Sequence, residues 1–244
     1  METTHRKRLV FGLIALAVVA SLVAAFAATS DDEETTTAGS SSTTTTDGET
    51  TTTARRSVSD EEAATIVWPD PRGELTYDDP SAAARGASET LLGFRDPLYG
   101  ELQPGDSRSG EIQVRPVPDG PVTTLLVRQM SDDHWYVIGA TSPEIELDEP
   151  TAGSAIDHPL RVSGRATASE GQVRVAVHER GDDAPRGEGL VATNGTAELS
   201  PFVGEISWDN PGGGWGSVVV TTSNGADGAV WTAIAIPVGF IGGD

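Results

Sequence analysis

No cysteine occurs anywhere in the 244 residues. That excludes disulfides, thiolate metal sites and a lipid-modified cysteine anchor, so any folded part must stand on its apolar core. Cations are also scarce, with 16 basic residues against 37 acidic ones and a net charge of -21. Lysine is represented by Lys7 alone. Removing Arg6, Lys7, Arg8 and Glu2 at the N-terminus leaves 13 basic and 36 acidic residues in the remainder. A surface this negative repels phosphate backbones, so no nucleic-acid partner is expected. The four histidines, His5, His134, His158 and His178, stand far apart and form no H-E-x-x-H or Cys/His pattern. The acidic pairs Asp78-Asp79, Asp132-Asp133 and Asp182-Asp183 lack the D-x-D-x-D-G spacing of a calcium loop. Neither a metal nor a cofactor is expected.

One long apolar run is present. Residues 9–28, opening on Leu9 and closing on Ala28, carry no charge, with Arg6, Lys7 and Arg8 behind them and Asp31, Asp32, Glu33 and Glu34 ahead. At about 1.5 Å per residue such a run covers roughly 30 Å, the thickness of a bilayer core. The one-sided basic flank orients residues 1–8 toward the cytoplasm and everything after the run outward. Ala25-Phe26-Ala27 also fits a signal-peptidase site, which leaves cleavage as the alternative to a single-pass anchor. The length of the run favours the anchor, because signal cores usually hold about 7 to 15 residues.

Residues 29–65 are rich in threonine and serine with acidic punctuation, a composition that buries too little surface to offset ordering entropy. They read as a disordered linker that holds the rest away from the membrane. Over residues 66–142 the pattern is that of a small α+β domain. Asp79 and Pro80 supply an N-cap and first-turn proline for a helix through Leu92, and Gly93 supplies its C-cap. Ala84, Ala87 and Leu91 fall on one face. Strands follow at 111–115, 122–130 and 135–140, the last two joined across Ser131-Asp132-Asp133-His134 as a hairpin.

Residues 143–241 change character, with short β-rich runs at intervals near ten residues, the signature of a sandwich. Seven strands are expected, at 145–147, 160–166, 172–179, 189–192, 197–208, 217–222 and 230–238. Val173, Val175 and Val177 alternate with Arg174 and Ala176, which turns the valines inward. Asn194-Gly195 and Asn224-Gly225 are type I′ hairpin signals. The architecture is therefore mainly β: a C-terminal immunoglobulin-like sandwich, a small α+β domain before it, and an N-terminal transmembrane helix with its linker.

Ile145 to Glu149, Pro150, Ser154, Pro159-Leu160-Arg161-Val162-Ser163-Gly164-Arg165-Ala166 and Glu170-Gly171 resemble the immunoglobulin-like, Gmad-type domain of bacterial spore germination. Pro201-Phe202 and Asp227-Gly228 fall where that family also has a Pro-Phe pair and a D-G turn. Leu92-Gly93-Phe94 through Glu111 is similar to a unit that precedes this domain in actinobacterial proteins. The resemblance implies a non-catalytic, envelope-facing module connected with germination or sporulation, and it implies no ligand.

Gly105-Asp106-Ser107 invites comparison with G-D-S esterases, yet no D-x-x-H accompanies it and a strand follows it, so Ser107 is expected in a polar turn. Gly212-Gly213-Gly214-Trp215-Gly216 has no helix after it with which to hold phosphate. Trp208 and Trp215 flank that loop and are the candidate contacts for a protein partner or a sugar ring, whereas Trp231 is expected in the core. No catalytic, metal or cofactor residue is expected. The reading is a non-catalytic envelope protein for binding or scaffolding, with a cell-wall glycan module as alternative and an envelope hydrolase behind it.

Overall fold

The computed structural model describes residues 57–182, 184–195, 198–225 and 228–242, which belong to one unit, Arg55–Asp244. The run 9–28, residues 29–56 of the linker, and Asp183, Thr196 and Asp227 lie outside the described residues. Among the described residues, no helix is long and apolar enough to cross a membrane.

The chain is mainly β. Helix α1 (Asp60–Ala64) and helix α2 (Pro80–Gly86) come first, followed by strands β1 (Leu98–Tyr99), β2 (Gln103–Asp106), β3 (Ser109–Arg115), β4 (Thr123–Gln129) and β5 (Trp135–Thr141). The C-terminal part adds β6 (Ile145–Glu149), β7 (Ala155–Ile156), β8 (Leu160–Ala166), β9 (Gln172–Glu179), β10 (Gly187–Ala192), β11 (Ser200–Ile206), β12 (Gly214–Ser223) and β13 (Val230–Phe240). Two antiparallel sheets face one another there: β11-β8-β6 on one side and β10-β9-β12-β13 on the other. The second sheet does not stop at β13. Ala235 of β13 partners Ala140 of β5, and the order continues through β4 and β3 to β1.

The sandwich core follows strand alternation. Leu160, Val162 and Ala166 of β8 and Val173, Val175 and Val177 of β9 point inward, while Arg161, Arg165 and Arg174 are exposed. Phe202, Ile206, Val218, Val220, Ile234 and Val238 complete this cluster. On β12 the pattern is nearly continuous burial, because Val218 and Val220 face the sandwich while Val219 faces a second cluster with Ala233 and Ala235. That second cluster is closed by Ala83, Ala84, Ala87 and Leu91 of the helical segment and by Ile112, Leu125 and Val137.

Several expectations are corrected. The linker was expected through Thr65, but α1 begins at Asp60 under a capping box in which the Ser59 hydroxyl accepts from Glu62 N and Glu62 accepts from Ser59 N. The helix expected through Leu92 is regular only to Gly86. Leu92 N then donates to Ala87 O, five residues back, at 3.0 Å, making a π turn over Ala87–Leu91. Gly93 follows with φ +76°, as its capping role requires. Asn194-Gly195 does not close a hairpin, since β10 pairs β9 and β11 pairs β8, so this turn carries the chain from one sheet to the other. Asn224-Gly225 does lie between paired strands, but Ser223 faces Val230, and only Gly225 of the two has a positive φ. A two-residue I′ turn needs both. The expected strand 197–208 is shorter, Ser200–Ile206, and leaves Trp208 beyond its end. Trp231, expected in the core, is only half-buried.

Candidate functional site

Between β6 and β8 the chain changes sheets. β6 pairs with β8, after which the chain crosses to form β7, which runs parallel to β13 with Ala155 opposite Gly239 and Ile156 opposite Phe240. Backbone bonds tie this strap down: Gly153 N donates to Pro237 O at 2.8 Å, and Ile241 N donates to Ile156 O at 3.0 Å. The peptide bonds before Pro150 and Pro159, at either end of the strap, are cis.

The crossing leaves a cleft of about 590 Å³. Ile156 and Leu160, both buried, belong to its floor, and Asp148, Glu149, Asp157 and Glu205 belong to its rim. Arg161 and His158 are its basic members. Arg161 is engaged by Glu205 at 3.4 Å, and the Asp157 carboxylate accepts from His158 N at 2.7 Å. The rim is thus acidic even after its internal pairings. Ser154 Oγ donates to Thr151 O at 2.7 Å and so turns back on its own loop.

Trp208 lies behind this cleft. It is 4% exposed, its ring meets Phe240 with centroids 4.8 Å apart, and its Nε1 donates to Asp157 O at 3.0 Å. The residue therefore holds the cleft wall from within, and its indole has no open face for a ligand. Trp215 is half-buried, with its ring over Gly239, where a β-carbon would meet it at 3.4 Å. The structure does not bring the two tryptophans together on one open face. Sequence reasoning missed Asp148, Glu149, Asp157 and Glu205, because a strand that switches sheets leaves no periodicity to read; Pro150 and Pro159, bracketing so short a run, were the available signal.

Ser107 stands exposed in the turn between β2 and β3, as expected, while the His134 ring is engaged elsewhere, its Nδ1 2.9 Å from Asp78 Oδ1. Two of the acidic pairs, Asp78-Asp79 and Asp132-Asp133, serve folding. Asp79 caps α2 through Ala82 N at 2.9 Å, Asp132 accepts from the Tyr136 hydroxyl at 2.7 Å, and Asp133 pairs with Arg108 at 3.1 Å. Burial first, then the Asp132 carboxylate, pushes the Tyr136 phenol well above its ordinary range. Among the described residues no three metal-ligating side chains converge.

Residues 144–229, from the start of β6 to the loop after β12, match the Gmad2 family model, described as the immunoglobulin-like domain of bacterial spore germination. This segment carries that domain. No curated protein and no solved structure matches the chain. Every residue lining the cleft falls inside the Gmad2 match, whereas β13, which joins the sandwich sheet to β5, falls after it.

Proposed function

We propose that this chain is a non-catalytic cell-envelope protein whose immunoglobulin-like module is displayed outside the membrane for protein binding or scaffolding, in a setting related to germination or sporulation. The observation that carries the reading is the order of features in the chain: a basic flank, the uncharged run 9–28, acidic residues, a threonine-rich spacer and then the Gmad2 domain. Asp79, Asp132 and Asp133, taken up in capping, pinning and pairing, are accounted for by folding alone. In this reading the membrane is engaged by residues 9–28 alone, and the partner is another envelope protein.

Protease added to intact cells tests the display. The described region is expected to be shaved off while cytosolic markers stay intact, and its survival under those conditions overturns the topology. Retention of the full chain on envelope proteins, compared with cell-wall fractions, then tests the role. The glycan alternative keeps one observation in its favour, the half-buried Trp215 ring braced on Gly239. Retention on cell-wall glycan that is lost in Trp215→Ala would replace the protein-binding reading.

A further inference from the structure

We propose that the cleft at the sheet crossing is a docking groove for a short basic peptide segment of another exported protein. The proposal rests on the protein-binding reading above and names the surface and the partner's chemistry. Size is the first argument. A cleft of about 590 Å³ falls inside the span of roughly 300–1,000 Å³ typical of ligand sites, enough for a few residues of chain.

Charge complementarity is the second argument. Among the described residues, Arg161 is spoken for by Glu205, and neither Asp148 nor Glu149, both exposed at the cleft, takes part in an ion pair. Asp157 adds a third exposed carboxylate, whose side chain is engaged only by a backbone N–H. The apolar floor of Ile156 and Leu160 accepts the methylene stems of arginine or lysine while their charged ends reach the rim. Rigidity is the third. The floor is fixed on both sides, by pairing of β7 with β13 and by Trp208 Nε1 on Asp157 O, so a ligand meets a preformed wall and loses less to ordering.

A general attraction of cations to an acidic protein is separated from a groove by where the charge is removed. Full-length protein in detergent at about 0.15 M salt, where exposed charges are screened beyond roughly 8 Å, is titrated with fluorescein-labelled Gly-Arg-Pro-Arg-Gly and with Gly-Glu-Pro-Glu-Gly. The basic peptide is expected to bind and the acidic one not. Asp148→Asn with Glu149→Gln is expected to weaken binding about fivefold, in line with two rim contacts worth up to about 1 kcal/mol each. Thr151→Lys, which adds a cation to the rim and removes no native carboxylate, is expected to weaken it similarly. Glu101→Gln with Asp119→Asn takes the same charge from exposed positions on other loops and is expected to leave affinity within about 1.5-fold. Equal weakening by both double variants, no weakening by either groove variant, or displacement of the peptide by chitotetraose overturns the groove. Envelope-protein capture that persists undiminished in the groove variants overturns the groove and leaves the display reading standing, whereas loss of all capture by the unaltered chain sinks that reading first.

Discussion

The sandwich and the segment ahead of it are held together by different means. Around β8, β9 and β11 the interior is aliphatic and aromatic, built from Val162, Val173, Val175, Phe202 and Trp208, and the charged side chains of those strands stand outside in cross-strand pairs. Residues 57–142 share a second cluster with the sheet, in which the small side chains of Ala83, Ala84, Ala87, Ala140, Ala233 and Ala235 lie among Leu92, Phe94, Ile112 and Leu125, and polar groups add joints. Glu62 accepts from Ser131 N at 3.1 Å and Ser131 Oγ at 2.5 Å, fastening α1 to the β4–β5 turn. Arg108 reaches Gln129 O, Met130 O and Asp133 across the same hairpin. The sandwich relies on core volume with its charges outside; the preceding segment adds directed bonds to its apolar cluster.

If volume dominates the sandwich, deleting it there has the largest effect. Phe202→Ala is expected to lower unfolding free energy by about 3–5 kcal/mol in denaturant titrations, since the ring is 1% exposed and packs over Gly164. Because the sheet continues from β13 into β5, signals from Trp135 and Trp68 are expected to move with the rest. A separate, unshifted transition for those tryptophans would break the shared-sheet side of the comparison. Next in size is Ala84→Leu. This fully buried alanine sits where α2 meets the sheet, and the added carbons are expected to cost about 1–3 kcal/mol through overpacking.

The same difference decides what was legible in the sequence. Strands that alternate around a large core announce themselves: β8 and β9 have the bounds that the pattern gives them, because Leu160-Val162 and Val173-Val175-Val177 keep a strict period of two. The start of the helix was readable from Asp79 and Pro80 for an equally local reason. Features that depend on a distant partner were not. β1, β2 and β7 are short, and β2 is exposed throughout, so they exist only through their pairing to β3 and β13. The π turn follows from no local signal in Ala87–Leu91, and the fate of Asn194-Gly195 rests on which sheet receives β11. At the cleft, the acidic rim joins β6 and the strap that follows it to Glu205 of β11, a strand much later in the chain. Ser59-x-x-Glu62 was readable as a capping box, yet the hydroxyl-rich sequence before it masked the signal.

Directed bonds sharpen the comparison at an intermediate size. Glu62→Gln is expected to cost about 1–2 kcal/mol, because a neutral amide replaces a carboxylate that caps α1 and accepts from Ser131. Amide exchange is expected to rise in α1 and stay unchanged in β9. Acid then separates the two regions. Burial raises the Glu62 carboxyl, but bonds from Ser131 and Ser59 outweigh it and hold the group below its usual range. Burial also holds the His178 imidazole, in β9, below its usual range against the pull of Glu188. In both cases the folded state binds its proton less readily than the unfolded chain, so the stability each contributes is full above the unfolded value and falls as pH drops. Stability is expected to decline first below about 6.5, through His178, and again below about 4.3, through Glu62. Chemical denaturation across pH checks this, with His178→Gln removing the upper step and Glu62→Gln the lower.

The smallest effect belongs to the charges on the sandwich exterior. Arg174 and Glu188 meet at 2.9 Å across β9 and β10, but their side chains are 55% and 49% exposed. Water screens such a pair and both side chains lose freedom in making it, so Arg174→Ala is expected to cost about 0.2–1 kcal/mol, and less as salt is added. Arg108→Ala removes the same side-chain type from the hairpin ahead of the sandwich, where the carbonyl oxygens of Gln129 and Met130 each lose one donor and Asp133 loses its ion pair, and its cost is expected to exceed that of Arg174→Ala by about 1 kcal/mol or more. Measured side by side, the two arginines give the finest reading of the difference. Equal costs would mean that directed bonds hold residues 57–142 no more firmly than surface charge holds the sandwich, and the contrast would reduce to core volume alone.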